Sequence, residues 1–160
     1  MDQELITFSS QIGQILKEKN LTISVAESCT GGLLSHVLTG VSGASDYFIG
    51  GVVAYSNHIK ERILGVKHQT LLNHGAVSEE TALEMASGIK EKFGTDIGLS
   101  TTGIAGPTGG TPTKPVGLVW MGISTPEDSW AFNQHFKGSR TDVQALSVLE
   151  ILSMLLENLK

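Results

Sequence analysis

Apolar residues at Leu5, Phe8, Ile12, Ile15 and Leu16 recur every three or four positions, the spacing of one helix face from Glu4 to Glu18, and Lys19-Asn20 ends the run. The pattern then changes. Thr22-Ile23-Ser24-Val25-Ala26 is short, β-branched and apolar, which predicts a buried strand. Leu33 to Leu38 reads as a helix ending near Thr39-Gly40, and Gly43-Ala44-Ser45 as a loop. Tyr47 to Tyr55 predicts a second strand. Ser56 can cap a helix over Asn57 to Leu64, with Lys60 in an early turn. Val66 to Asn73 predicts a short helix. Ser78 starts a longer one carrying Leu83, Met85, Ala86 and Ile89 inward, which stops at Phe93-Gly94.

Asp96 to Thr102 predicts a third, buried strand that runs into the loop Gly103 to Gly110, too rich in glycine for regular structure. Val116 to Ser124 and Ser129 to Phe136 predict two more strands. The Pro126-Glu127-Asp128 turn between them points to an antiparallel pair. Gly138 to Asp142 opens a last helix with Val143, Leu146, Leu149, Leu152 and Leu156 on its apolar side. Helices alternate with strands, with no repeat and no linker. The expected fold is a single α/β domain over residues 1–160: three layers, α/β/α, around a mixed, mostly parallel sheet of about five strands.

Composition narrows the function classes. Apolar residues make up 40 % of the chain and charged ones 17 %, a globular rather than a disordered balance. A net charge of −5 without a basic run argues against nucleic acid as a partner. No apolar stretch is long enough to span a bilayer, and the acidic Met1-Asp2-Gln3-Glu4 start lacks the basic region of a signal peptide. The lone Cys29 excludes an internal disulfide, and cysteine and histidine spacings give no zinc pattern. The cytoplasm is the expected location.

Candidate chemistry gathers at three loops that follow strand ends: the one at Ser28, the Tyr55-Ser56-Asn57 turn and the one at Gly103. They converge only if their strands are parallel. Ser28, in Ala26-Glu27-Ser28-Cys29-Thr30-Gly31-Gly32, is a candidate nucleophile or simply a helix cap. None of the five histidines sits in a triad-like context. The alternative base is a desolvated lysine, and Lys60 lies one helical turn beyond Tyr55. Lys60 taken alone also fits a solvated surface position. Cys29 could replace Ser28 or be a small core residue. Glu27 could be a general acid or a charge at a helix start. The glycine-rich loop could cradle a phosphate, yet it matches neither standard phosphate-loop motif. Arg140 could clamp a phosphate.

Ala26-Glu27-Ser28-Cys29-Thr30-Gly31-Gly32, Tyr55-Ser56-Asn57, His74-Gly75-Ala76-Val77-Ser78, Gly103-Ile104-Ala105-Gly106-Pro107-x-Gly109-Gly110 and Lys114-Pro115-Val116-Gly117 occur in this order. Together they resemble the C-terminal domain of the competence-damage-inducible CinA proteins, over nearly the whole chain. The N-terminal molybdopterin-binding-like domain of full-length members has no counterpart in these residues. Stand-alone members of this family are nicotinamide-nucleotide amidases. The resemblance implies hydrolysis of nicotinamide mononucleotide to nicotinate mononucleotide and ammonia, without a metal or other cofactor, and a homo-oligomer. It carries a Ser-Lys mechanism over to Ser28 and Lys60, and matches Tyr55, Thr102 and Arg140 to positions associated with the site. Two departures lie in the loop: Thr108, where an acidic residue is frequent, and Thr111-Pro112-Thr113, where acidic residues often stand.

On that reading, backbone N–H groups from Cys29 to Gly31 would stabilise the oxyanion. Tyr55 would bond Lys60 or stack on the ring. Donors for the 5′-phosphate would come from Thr30, from the Gly103–Gly106 backbone including Ala105, and from Arg140. A non-catalytic nucleotide binder or sensor, or an amidase for another small amide, are the alternatives.

Overall fold

The computed structural model describes residues 2–160, in the order α1 (Gln3–Lys19), β1 (Ile23–Glu27), α2 (Leu33–Thr39), a 3-10 turn (Ala44–Asp46), β2 (Phe48–Val53), α3 (Asn57–Leu64), α4 (His68–His74), α5 (Glu79–Phe93), β3 (Ile97–Gly103), β4 (Leu118–Ser124), β5 (Ser129–His135) and α6 (Arg140–Leu159). Helix starts fall where the sequence places small polar caps. Ser56, Ser78 and Ser139 accept from the amides of Ile59, Thr81 and Asp142. The anticipated element between Val66 and Asn73 is α4, two residues later at its start.

One five-stranded sheet runs β2-β1-β3-β4-β5. It is mixed, and the three strands that carry the site loops are parallel: β1 pairs with β2 and with β3 in parallel. β4 and β5 add to the β3 side as an antiparallel extension. β2 ends at Val53, before Tyr55, although the Ala54 amide still donates to the Glu27 carbonyl at 2.7 Å. β4 begins at Leu118 rather than Val116, because Gly117 is tied back to Ile104 and closes the preceding loop.

Strand alternation sends successive residues to two different layers. Ile23, Val25, Leu99, Met121 and Ile123 belong to the larger core, with α1, α2 and α6. The positions between them face α3, α4 and α5, and they are small. Ser24 donates to Ile89 O and Ser100 to Ala82 O, both on α5. A Cβ added at Gly98 would stand 2.1 Å from Ala86 O, and one at Gly122 2.4 Å from Ala82 O. α5 therefore lies directly on the sheet backbone. Ala26, Ala54, Leu64, Met85 and Ile89 form the smaller core of this layer.

β1 lies between β2 and β3, and the helices after β1 and after β2 cover opposite faces. That reversal opens a crevice at the carboxyl ends of β1 and β3. Among the described residues, no helix is long and apolar enough to cross a membrane.

Gly98→Ala is expected to destabilise the fold by about 1–3 kcal/mol, since its methyl group must displace α5 backbone in a packed layer. Equilibrium urea unfolding measures this. An unchanged midpoint would mean that α5 does not sit against β3 as described.

Candidate active site

The end of β1 divides the work between two neighbouring residues. Glu27, fully buried, points to the α2 side. Its carboxylate accepts from the amides of Gly32, Leu34 and Ser35 and from the hydroxyls of Thr30 and Ser35, at 2.6–3.1 Å. Those amides are the unpaired donors of a helix start. Of the two roles open to Glu27, the structure selects the charge at the start of α2. The N-cap residue itself is Gly32, so Ser28 is not the cap of this helix.

Ser28 points to the other face, where α3 brings Lys60. Lys60 Nζ lies 3.1 Å from Ser28 Oγ, 2.9 Å from Ala54 O and 3.5 Å from Tyr55 O. Lys60 is 1 % exposed and Ser28 8 %. Burial pushes the Lys60 amine below the ordinary lysine value of 10.5, because the charged form loses its hydration. The two carbonyls act in the opposite direction by accepting from the ammonium. They also fix its geometry. A neutral amine gives its two hydrogens to them and turns its lone pair towards the Ser28 hydroxyl.

Cys29, next in the chain, is buried against the large core, and desolvation raises its thiol to about 12. Such a thiol stays protonated and inert at neutral pH.

The dyad opens into a cavity of about 230 Å³. The structure brings Ser28, Tyr55, Lys60, Thr102, Gly103, Ala105, Gly106 and Arg140 together on its wall, with Cys29, Asn57, Ala76, Val77 and Thr108. Arg140 reaches across it: Nη1 donates to Gly106 O at 2.8 Å and Nη2 to Tyr55 Oη at 2.7 Å. The Tyr55 phenol is thus engaged by Arg140, and only its main-chain oxygen faces Lys60. The Thr102 hydroxyl donates to Ala76 O at 2.8 Å, so it holds the opposite wall and keeps only acceptor capacity for a ligand.

Thr30 and Gly31 do not line the cavity. The Thr30 hydroxyl is held in the interior between Glu27 and Thr101. The Gly31 amide donates to Ser28 O at 3.1 Å and the Ser28 amide to Thr101 O at 2.9 Å, so neither is available to an oxyanion. The amides of Cys29 and Thr30 donate to no acceptor among the described residues. None of the five histidines lines the cavity, and among the described residues no three His, Cys, Asp or Glu side chains are placed to hold a metal.

Two contributors escape a linear reading. Ala76 and Val77 form a wall from the turn before α5, which only the fold brings near Ser28. Gln144, on α6, donates through Nε2 to Cys29 O at 2.9 Å across 115 residues of chain. The Gly75-Ala76-Val77-Ser78 motif was a signal for the first, whereas no local pattern marks the second.

Residues 6–159 match the CinA C-terminal domain family. A CinA-like protein of Salinibacter ruber is 52 % identical over 136 residues, which is 85 % of this chain and 33 % of that protein. The crystal structure of competence/damage inducible protein CihA from Agrobacterium tumefaciens superposes with a TM-score of 0.96 at 34 % identity, covering 98 % of this chain and 96 % of that one. That of a competence or damage-inducible protein from Enterobacter asburiae gives 0.95 at 32 %, covering 99 % and 100 %. The chain spans about a third of the length of the curated relatives it matches.

The lowered Lys60 amine has a consequence for stability. Between its folded-state pKa and 10.5 the unfolded chain binds the proton and the folded one does not, so the contribution of Lys60 to stability rises with pH across that window. Lys60→Met removes this contribution. Its stability relative to wild type is expected to be greatest on the acid side and to decline steadily as pH approaches 10.5. Urea unfolding of both proteins across that range checks it, and a difference independent of pH would contradict the buried amine.

Proposed function

We propose that this chain, which belongs to the CinA C-terminal domain family, hydrolyses the carboxamide of nicotinamide mononucleotide to nicotinate mononucleotide and ammonia. The observation that carries the reading is the buried Lys60 amine 3.1 Å from the Ser28 hydroxyl, facing a cavity that also holds Arg140. A nucleotide-binding loop needs neither a hydroxyl nor a desolvated amine in that relation, whereas a nucleophile and its base need both.

In this reading Lys60 Nζ takes the proton of Ser28 Oγ as the oxygen attacks the carboxamide carbon. The carbonyl oxygen gains the charge and is met by the free amide of Cys29, which lines the cavity. One such donor is typically worth about a hundredfold or more in rate. Collapse breaks the C–N bond, and the leaving nitrogen takes the proton back from Lys60 and departs as ammonia. Water then attacks the Ser28 ester, with its proton passing to Lys60. Release of nicotinate mononucleotide returns that proton to Ser28 Oγ. The pyridinium ring withdraws electrons from the carboxamide throughout. Its positive charge beside Lys60 further disfavours the ammonium.

Arg140 supports a subsite for the 5′-phosphate. Its guanidinium is held at two points by Tyr55 and Gly106, and the amides of Ala105 and Gly106 donate to nothing among the described residues. Cys29 is set aside as the nucleophile by its buried thiol near 12.

Ammonia release from nicotinamide mononucleotide tests the reading. Ser28→Ala and Lys60→Ala are expected to lose at least about a thousandfold in kcat, while Cys29→Ala retains activity. Free nicotinamide, which lacks the phosphate, is expected to be a poor substrate. Full activity in Ser28→Ala would overturn the nucleophile. Stabilisation of the fold by the nucleotide without any ammonia would instead indicate a binding domain.

The pH profile gives a second check. The base form of Lys60 is required, so kcat/KM is expected to rise with pH along a limb whose midpoint lies below 10.5. An ascending limb centred at 10.5 or above would contradict a desolvated base.

A further inference from the structure

α6 starts at the site and touches all three of its loops. Arg140 holds the β2–α3 turn at Tyr55 and the β3–β4 loop at Gly106. Gln144, one turn further along the same helix, holds the β1–α2 turn at Cys29. This helix start is itself fixed by a reciprocal cap, in which the Ser139 hydroxyl accepts from the Asp142 amide while the Asp142 carboxylate accepts from the Ser139 amide.

The contact at Cys29 falls on a particular peptide. Gly31 N donates to Ser28 O, so residues 28 to 31 form a β-turn in which the Cys29–Thr30 peptide is central. The central peptide of a β-turn is the unit that can turn over by about 180° while the ends stay in place, the difference between type I and type II turns. Carbonyl and N–H of a trans peptide point in opposite directions. A carbonyl held towards α6 therefore keeps the Thr30 N–H turned away from α6, and a flipped peptide would reverse both. Because Cys29 O can only accept, Gln144 must present its NH₂ group there. Among the described residues, Gln144 makes no other side-chain hydrogen bond.

We infer that Gln144 is a positioning residue: it anchors the Cys29 carbonyl to α6, and so holds the turn that carries Ser28 and the free Cys29 amide in the arrangement required for attack. It touches no reacting atom. The inference rests on the assignment of Ser28 as nucleophile, though not on the identity of the amide substrate.

The test compares wild type with Gln144→Leu, which keeps the bulk and removes the donor, and with Gln144→Arg. Arginine Nε stands as many bonds from Cα as glutamine Nε2 and restores an N–H at that place. Two rates are read: ammonia release from nicotinamide mononucleotide, and phosphonylation of Ser28 by a fluorophosphonate, followed by intact mass. In the second reaction the Ser28 Oγ–P bond forms, P–F breaks, fluoride leaves and Lys60 accepts the proton. Gln144→Leu is expected to lower kcat and the labelling rate together by about ten- to a hundredfold, with KM little changed. Gln144→Arg is expected to recover both rates. A purely structural contact would move the unfolding midpoint and leave both rates alone, which would overturn the inference, as would a loss in Gln144→Leu that Gln144→Arg does not repair. If wild type labels at Ser28 but releases no ammonia from this nucleotide, the substrate assignment fails while the labelling rates still decide the role of Gln144. A wild-type Ser28 inert to both reagents would overturn the inference together with the nucleophile.

Discussion

A lysine amine cannot be taken out of water without either finding compensation or giving up its proton. Lys60 is enclosed by Ala54, Tyr55 and Ser28 with no carboxylate beside it, since the nearby Glu27 is turned to the opposite face of the sheet. Among the described residues, two main-chain carbonyls and one hydroxyl are its only hydrogen-bond partners. That set accepts a neutral amine completely and an ammonium only at a cost. The rest of the site depends on this choice: buried without an anion beside it, the Lys60 amine is held below the ordinary lysine value.

Withholding the anion is a matter of strand alternation. Glu27 and Ser28 are adjacent, yet one caps α2 with five hydrogen bonds and the other meets α3. The carboxylate is consumed by the donors of a helix start, and the hydroxyl is left at the mouth of the crevice. The thin layer of Ser24, Gly98, Ser100 and Gly122 lets α5 settle on the sheet backbone. This settles the turn before α5, where Ala76 and Val77 close the cavity against Thr102.

Much of this was legible in the sequence, for local reasons. Helix caps at Ser56, Ser78 and Ser139 use nearest neighbours, so a few residues suffice to find them. The order of strands and helices follows from period two giving way to period three to four. The pairing of Ser28 with Lys60 needed something further, the parallel neighbours β1 and β2, and there the family resemblance supplied what spacing alone left open. The differences in geometry have one physical origin. Thr30 and Gly31 belong to the right turn, but which way a turn residue faces is set by packing, and both face inward or along the turn. The Tyr55 phenol went to Arg140 for the same reason. Gln144 was invisible because its partner is 115 residues away and its own helix pattern is ordinary.

The central claim of the proposal is that a desolvated Lys60 serves as the base for Ser28. The direct measurement is the titration of its side chain by NMR, with ¹³C-labelled lysine and the Lys60 resonance identified by its loss in Lys60→Met. The account predicts a Cε resonance that titrates below 10.5, apart from the other lysines, in the protein without substrate. A Lys60 that titrates with the surface lysines, at 10.5 or higher, would contradict it.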